Sequence, residues 1–236
     1  MAILKDVGYV DLRSYKTPEA FRAIERIENV GLLIVPSDVP AEVEEAIAGI
    51  QKVAVGAVQP VPSNAKIIMM NGAEELTAAS FGFGDGEDVY YLINGAAALR
   101  EFPADFHPLV IFNGLLLVHE SFRKTPALRF IARNGLVQYG DFDCCKFYEN
   151  TLELDRGVLS FLPEKTALVA VNSIVVAEDV DADLLAQKKA LLLCANKIYC
   201  YDASAPYIKA NAVAGNKIVV LQPGEKPNAE PTGDAV

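Results

Sequence analysis

The stretch Leu109-Val110-Ile111-Phe112-Asn113-Gly114-Leu115-Leu116-Leu117-Val118 decides how the chain is read: an apolar run, Asn-Gly, and a second apolar run. Related copies surround Asn71-Gly72, Asn94-Gly95 and Asn134-Gly135, and weaker ones surround Asn172-Ser173, Asn196-Lys197 and Asn216-Lys217. Val30-Gly31, Val55-Gly56 and Arg156-Gly157 keep the strand-like flank without the Asn. From residue 30 to residue 216 the phrase recurs in nine steps, a mean of about 21 residues, and periods of about 20 to 50 mark solenoids and repeat arrays. The later copies follow the earlier ones at a spacing of roughly one hundred residues, with Val55–Pro62 lying over Arg156–Pro163. A tandem duplication is expected, with halves over 17–120 and 121–222.

Around the Asn place, the third residue before and the second after are apolar: Val110 and Leu115, Ile131 and Leu136, Val169 and Ile174, Leu193 and Ile198, Val213 and Ile218. That half-pattern resembles the leucine-rich repeat, whose strand reads L-x-x-N-x-L. The family's earlier leucines are not regularly present, since Pro126 and Glu164 stand eight places before Asn134 and Asn172. The resemblance implies a parallel stack with one strand per coil, and it implies no activity. The expected fold is therefore a β-rich α/β repeat, a solenoid of about ten coils with short helices, forming one elongated domain over 1–222. The alternative is an antiparallel meander or sandwich, because Asn-Gly between apolar runs is a strong hairpin signal. Two features favour the coil. The same place accepts Asn-Ser and Asn-Lys, which tolerate positive φ poorly, and helix-like segments separate several copies.

The helix signals are local. Thr17-Pro18-Glu19 opens one helix, with Ala20, Phe21, Ile24 and Ile27 as its apolar stripe. Ser37-Asp38-Val39-Pro40 opens another, with Val43, Ala46, Ile47 and Ile50 inward, and Glu178–Lys189 is a third. Leu152–Leu162 reads as a strand. The tail, 223–236, has prolines and glycines but no strong apolar run, and is expected to be disordered.

Composition narrows the function classes. The net charge is −10, from 31 acidic and 21 basic residues, which argues against a nucleic-acid groove. No run approaches the eighteen or so apolar residues of a membrane span. Lys5, Asp6, Asp11 and Arg13 leave no apolar signal core in the first fifteen residues, so a cytoplasmic protein is expected, export requiring a leader that has been removed. Cys144, Cys145, Cys194 and Cys200 lack C-x2-C spacing and read as reduced, mostly buried thiols rather than metal ligands.

Candidate chemistry is sparse, and no catalytic, cofactor-binding or metal-ligating residue is assigned. Gly82-Phe83-Gly84 is not a phosphate loop, because no Lys-Ser/Thr follows. Asp85, Glu87 and Asp88 are hard oxygen ligands that could hold Ca2+, but the closing glutamate of an EF-hand is missing, so a glycine-rich turn is favoured. His107 and His119, with Asp105 or Glu120, could do acid–base chemistry, yet no motif places a nucleophile beside them. Glu42, Glu44 and Glu45 read as a solvated helix face. No P-loop, G-x-S-x-G, H-E-x-x-H or dinucleotide fingerprint is present. The expected function is a non-enzymatic repeat scaffold, binding a protein partner or associating with itself, with Arg133 and Gln138 as contact candidates and no cofactor. The alternative is a hydrolase with its site in a groove between the two halves.

Overall fold

The computed structural model describes residues 2–82, 84, 86, 88–103, 105–124 and 128–227. Among them lie fifteen strands in four sheets, with five short helices, and every strand pairing is parallel. The antiparallel meander is thereby overturned, and no sheet closes into a barrel. Successive strands stack in register, a repeat-like arrangement.

The chain begins with β1 (Ala2–Asp11), β2 (Ile24–Pro36) and β3 (Gln51–Val61), which form one sheet in that order. Helices α1 (Pro18–Arg22) and α2 (Ala41–Ala48) connect them. Thr17 caps α1 as its sequence suggests, its Oγ1 accepting from the Ala20 N–H at 3.4 Å. The helix is only five residues long, so Ile24 and Ile27, expected on its stripe, belong to β2 instead. They still face inward: Phe21, Val43, Ala46 and Ile50 from the helical side pack with Ile27, Val30 and Leu33.

The second sheet is β4 (Lys66–Leu76), β5 (Val89–Leu99), β6 (Leu109–His119) and β7 (Arg129–Gly140), in sequence order. These strands hold the Asn-Gly phrases, and the phrases are not hairpins. Asn71, Asn94, Asn113 and Asn134 stand opposite one another in mid-strand, as do the glycines after them. Gly72, Gly95, Gly114 and Gly135 have φ of 106°, 133°, 137° and 142°, where an L side chain is strained. Each glycine bends its strand without breaking the ladder. The reason Asn-Gly recurs here is a positive φ inside a strand, not a two-residue turn.

Both faces of its inner strands β5 and β6 are buried, which is why these two read as near-continuous apolar runs rather than alternating ones. Tyr91, Ile93, Val110, Phe112 and Leu116 point to one side, where Phe81 and Phe102 pack on them. The opposite side is divided at the bend. Before it, Leu92 and Ile111 meet Leu32 and Ile34 of β2. After it, Ala96, Ala98, Leu115 and Leu117 meet the third sheet, through Ala167, Val169 and Leu193.

The rest of the chain builds two sheets together. One has β8 (Cys144–Tyr148), β10 (Thr166–Ala170), β12 (Leu191–Cys194) and β14 (Val213–Ala214). The other has β9 (Thr151–Leu154), β11 (Ser173–Val176), β13 (Lys197–Tyr201) and β15 (Lys217–Leu221). Helices α3 (Arg156–Phe161), α4 (Ala182–Lys188) and α5 (Ala205–Asn211) carry the chain from one layer to the next. Leu152, Leu168, Ile174, Leu192 and Ile198 share a core with Leu185 and Ile208 from the helices.

Two local expectations are corrected here. Leu152–Leu162 is not one strand, because Asp155 accepts from the Val158 N–H at 2.7 Å and starts α3. Arg156-Gly157 therefore lies in a helix, whereas Val55-Gly56 lies in strand β3, and the two places are not equivalent. Of the tail expected to be disordered, 228–236 lies outside the described residues. The part before it is held: Tyr201 Oη donates to Glu225 O at 2.6 Å. No described helix is long and apolar enough to cross a membrane.

Candidate functional site

Three surfaces compete for a functional role: the seam at the Asn bends, a polar cluster at the end of β6, and the outer strands of the stack.

At the seam the asparagine side chains form a ladder of one polarity. Asn94 Nδ2 donates to Asn71 Oδ1 at 3.2 Å, Asn113 Nδ2 to Asn94 Oδ1 at 2.7 Å, and Asn134 Nδ2 to Asn113 Oδ1 at 2.7 Å. Asn113 Nδ2 also donates to Gly8 O, 105 residues away, at 3.2 Å. The glycines of the first sheet exist for this contact. A Cβ on Gly31 would stand 2.9 Å from Asn113 Oδ1 and from Asn134 Nδ2, so any side chain would push the sheet off the ladder. Gly8 lies over Asn94 and Asn113, Gly31 over Asn113 and Asn134, and Gly56 over Asn134. The first sheet is thus staggered by half a strand against the second.

On the far side of the ladder, a cleft of about 380 Å³ separates the bends from the third sheet. Asn113, Gly114, Leu115, Asn134, Gly135, Leu136, Ala195 and Gly215 line it. Its walls come from β6, β7 and the corners after β12 and β14, and no acid or base is among these lining residues. A second cleft, of about 350 Å³, lies between α1 and α2, where Phe21, Arg22 and Glu45 are among its walls.

The histidines are not brought together, because His107 precedes β6 and His119 ends it. His119 does meet a hydroxyl and a carboxylate that its sequence context had not paired with it. Ser121 Oγ lies 2.8 Å from His119 Nδ1, and Asp141 Oδ1 lies 3.6 Å from Nε2. Nδ1 also accepts the Ser121 N–H at 3.3 Å, which makes the ring the cap of the short 3-10 turn Glu120–Phe122. Lys165 Nζ sits 2.8 Å from Asp141 and holds that carboxyl below its usual range. Glu120 is held low in the same way by Arg123, which also covers the Tyr139 ring. These bonds tie the ends of β6 and β7 to the start of the third sheet, and the clefts lie elsewhere.

The thiols are free and paired with nothing covalent. Burial pushes Cys145 up to about 12 and raises Cys194 and Cys200, leaving little thiolate for a metal. Among the described residues, no group of His, Cys, Asp or Glu side chains could hold a metal ion. Asp85 and Glu87 of the acidic loop lie outside the described residues. Glu42, Glu44 and Glu45 are exposed on α2.

The outer strands form two ends. Tyr9 Oη of β1 reaches across to donate to Met69 Sδ of β4 at 3.0 Å, and β8 also touches β4. At the other end β3 touches β7, and Gly215, between β14 and β15, faces Asn134 and Gly135 across the cleft. Arg133, one of the sequence's contact candidates, is exposed on β7. Gln138 is on the same strand, its amide donating to Tyr139 O at 2.8 Å. The chain matches no known family model, no curated protein and no solved structure.

Proposed function

We propose that the protein is a non-enzymatic scaffold, a solenoid-like stack of parallel strands that associates with itself through its ends. One observation carries this reading. Among the described residues, eight large apolar side chains are exposed: Ile3, Val7, Val53, Val58, Met69, Val158, Phe161 and Val171. All but Val171 sit on terminal elements. Ile3 and Val7 are on β1, Met69 is on β4, and Val158 and Phe161 are on α3, the first helix of its row, with Phe161 92% exposed. Val53 and Val58 are on β3 at the other end. Single exposed apolar residues need no explanation, but their collection on unpaired edges does. An open parallel edge also offers unpaired N–H and C=O groups, a template for another strand. The lining of the cleft at the Asn bends includes no acid or base, which supports the scaffold reading over the hydrolase.

Sedimentation velocity tests the reading. The average mass should rise with protein concentration as edges become paired. A single monomeric species at every concentration would contradict it.

A further inference from the structure

We infer that the association is polar and head-to-tail: the β7 end of one copy seats on the β4 end of a second copy, and the Asn ladder runs on through the joint. This rests on the scaffold reading above and goes beyond it by naming the occupant and its direction. Three observations point the same way.

The first is shape. β4 and β7 are the outer strands of one sheet, and each bends at the same place, after an Asn that is its sixth residue. Their glycines have φ of 106° and 142°. A second copy therefore presents to β7 the same bent strand that β6 presents to β5. Setting Asn71 opposite Asn134 continues the register already shared by Asn71, Asn94, Asn113 and Asn134.

The second is the direction of the ladder. Every rung donates from a later Asn to an earlier one. Among the described residues the series therefore ends in an unused Asn71 amide N–H on β4 and a lone-pair-bearing Asn134 Oδ1 on β7. These two ends complete each other and cannot complete themselves. In the other half Asn216 Nδ2 donates to Asn196 Oδ1 at 3.4 Å, in the same direction.

The third is charge. The strands of the β7 end, namely β3, β7, β14 and β15, contain the cations Lys52, Arg129, Arg133 and Lys217 and no anion. The strands of the β4 end, namely β1, β4, β8 and β9, contain the anions Asp6, Asp11, Glu74, Glu75 and Glu153 against the cations Lys5, Lys66 and Lys146. In a chain of net charge −10, a cationic end is a departure. Opposite ends attract and like ends repel, which selects head-to-tail over either symmetric dimer. The register creates one like-charged pair, Arg129 with Lys66, at exposed strand starts where solvent screens it.

Such a contact does not close on itself, so it propagates. Four strands per copy at about 4.8 Å each give an axial rise of about 19 Å. The first sheet has only three strands. Beside the edge of β1, one strand position per copy is left open.

Two charge-reversed variants test the direction, after circular dichroism shows that each folds. Met69→Lys with Glu74→Lys makes the β4 end cationic. Arg129→Glu, Arg133→Glu and Lys217→Glu together make the β7 end anionic. Each variant alone should need at least about a tenfold higher concentration to associate than the natural chain. A one-to-one mixture should associate again, because each altered end then meets its opposite. If either variant alone still associates as the natural chain does, or the mixture stays apart, the head-to-tail joint is overturned while self-association stands. If the natural chain is monomeric throughout, both fall.

Discussion

The Asn phrases of β4 to β7 and the Asn corners of the later sheets look alike in one dimension and behave differently in three. Asn113 lies in mid-strand, bonded above, below and across to Gly8 O, and followed by a glycine that no other residue can replace. Asn196 is half-buried at a corner between β12 and β13, and its side-chain oxygen accepts one long bond from Asn216. Neither Ser173, Lys197 nor Lys217 has the positive φ found at the four strand glycines. One residue type at one place in the repeat thus serves either as the seam between three packed bodies or as the rim of one.

That contrast can be broken by substitution, and the largest effect belongs to the glycine. Gly114→Ala forces an L residue to φ 137° and drives its Cβ into Gly95 O. A loss of about 3 kcal/mol in urea unfolding is expected. Gly49→Ala, in ordinary αR backbone with neighbours at 3.5 Å, should be neutral or slightly stabilising. Equal effects would mean that the bend does not depend on glycine.

Asn113→Ala comes next. It leaves the Asn134 amide, Asn94 Oδ1 and Gly8 O without their partner, at a cost of about 2 to 3 kcal/mol by the same measurement. Asn196→Ala at the corner, which breaks one bond of 3.4 Å, should cost less than about 0.5 kcal/mol. Should the two substitutions cost the same, the distinction between seam and rim would be lost.

The junction after the bend can be read by pH. Cys145 packs against the second sheet, and its thiol is pushed by burial from 9.0 to about 12 in the folded chain. The unfolded thiol ionises first, so its contribution is intact below pH 9 and drains away towards pH 12. Stability should fall by up to about 1.4 kcal/mol per pH unit in that window. In Cys145→Ala this part of the slope should vanish. A slope unchanged by the substitution would assign it to other groups.

Much of the strand layout was legible before the structure, for physical reasons. The apolar residues at the third place before and second after Asn113 and Asn172 are buried because each layer repeats its neighbour's environment. The cap at Thr17 is local, and so could be read locally, whereas the helix expected from Glu178 starts only at Ala182, after its cap Asp181. The role of Asn-Gly was not legible, since a type I′ turn and a mid-strand bend ask for the same two residues. Nor could Gly31 be paired with Asn113 and Asn134, because that contact depends on two sheets coming together across more than eighty residues. The Ser121 hydroxyl beside His119 escaped for another reason: it arises from a 3-10 turn rather than from any spacing that marks a nucleophile. The charge division between the ends appears only once strand order tells outer strands from inner ones.

Hydrogen exchange of the second sheet, compared at low and high protein concentration, bears most directly on the claim that this stack is built to continue. β5 and β6 should be protected at both concentrations, and amides of β4 and β7 should gain protection as concentration rises. Exchange in β4 and β7 that ignores concentration, in a protein whose inner strands stay protected, would contradict it.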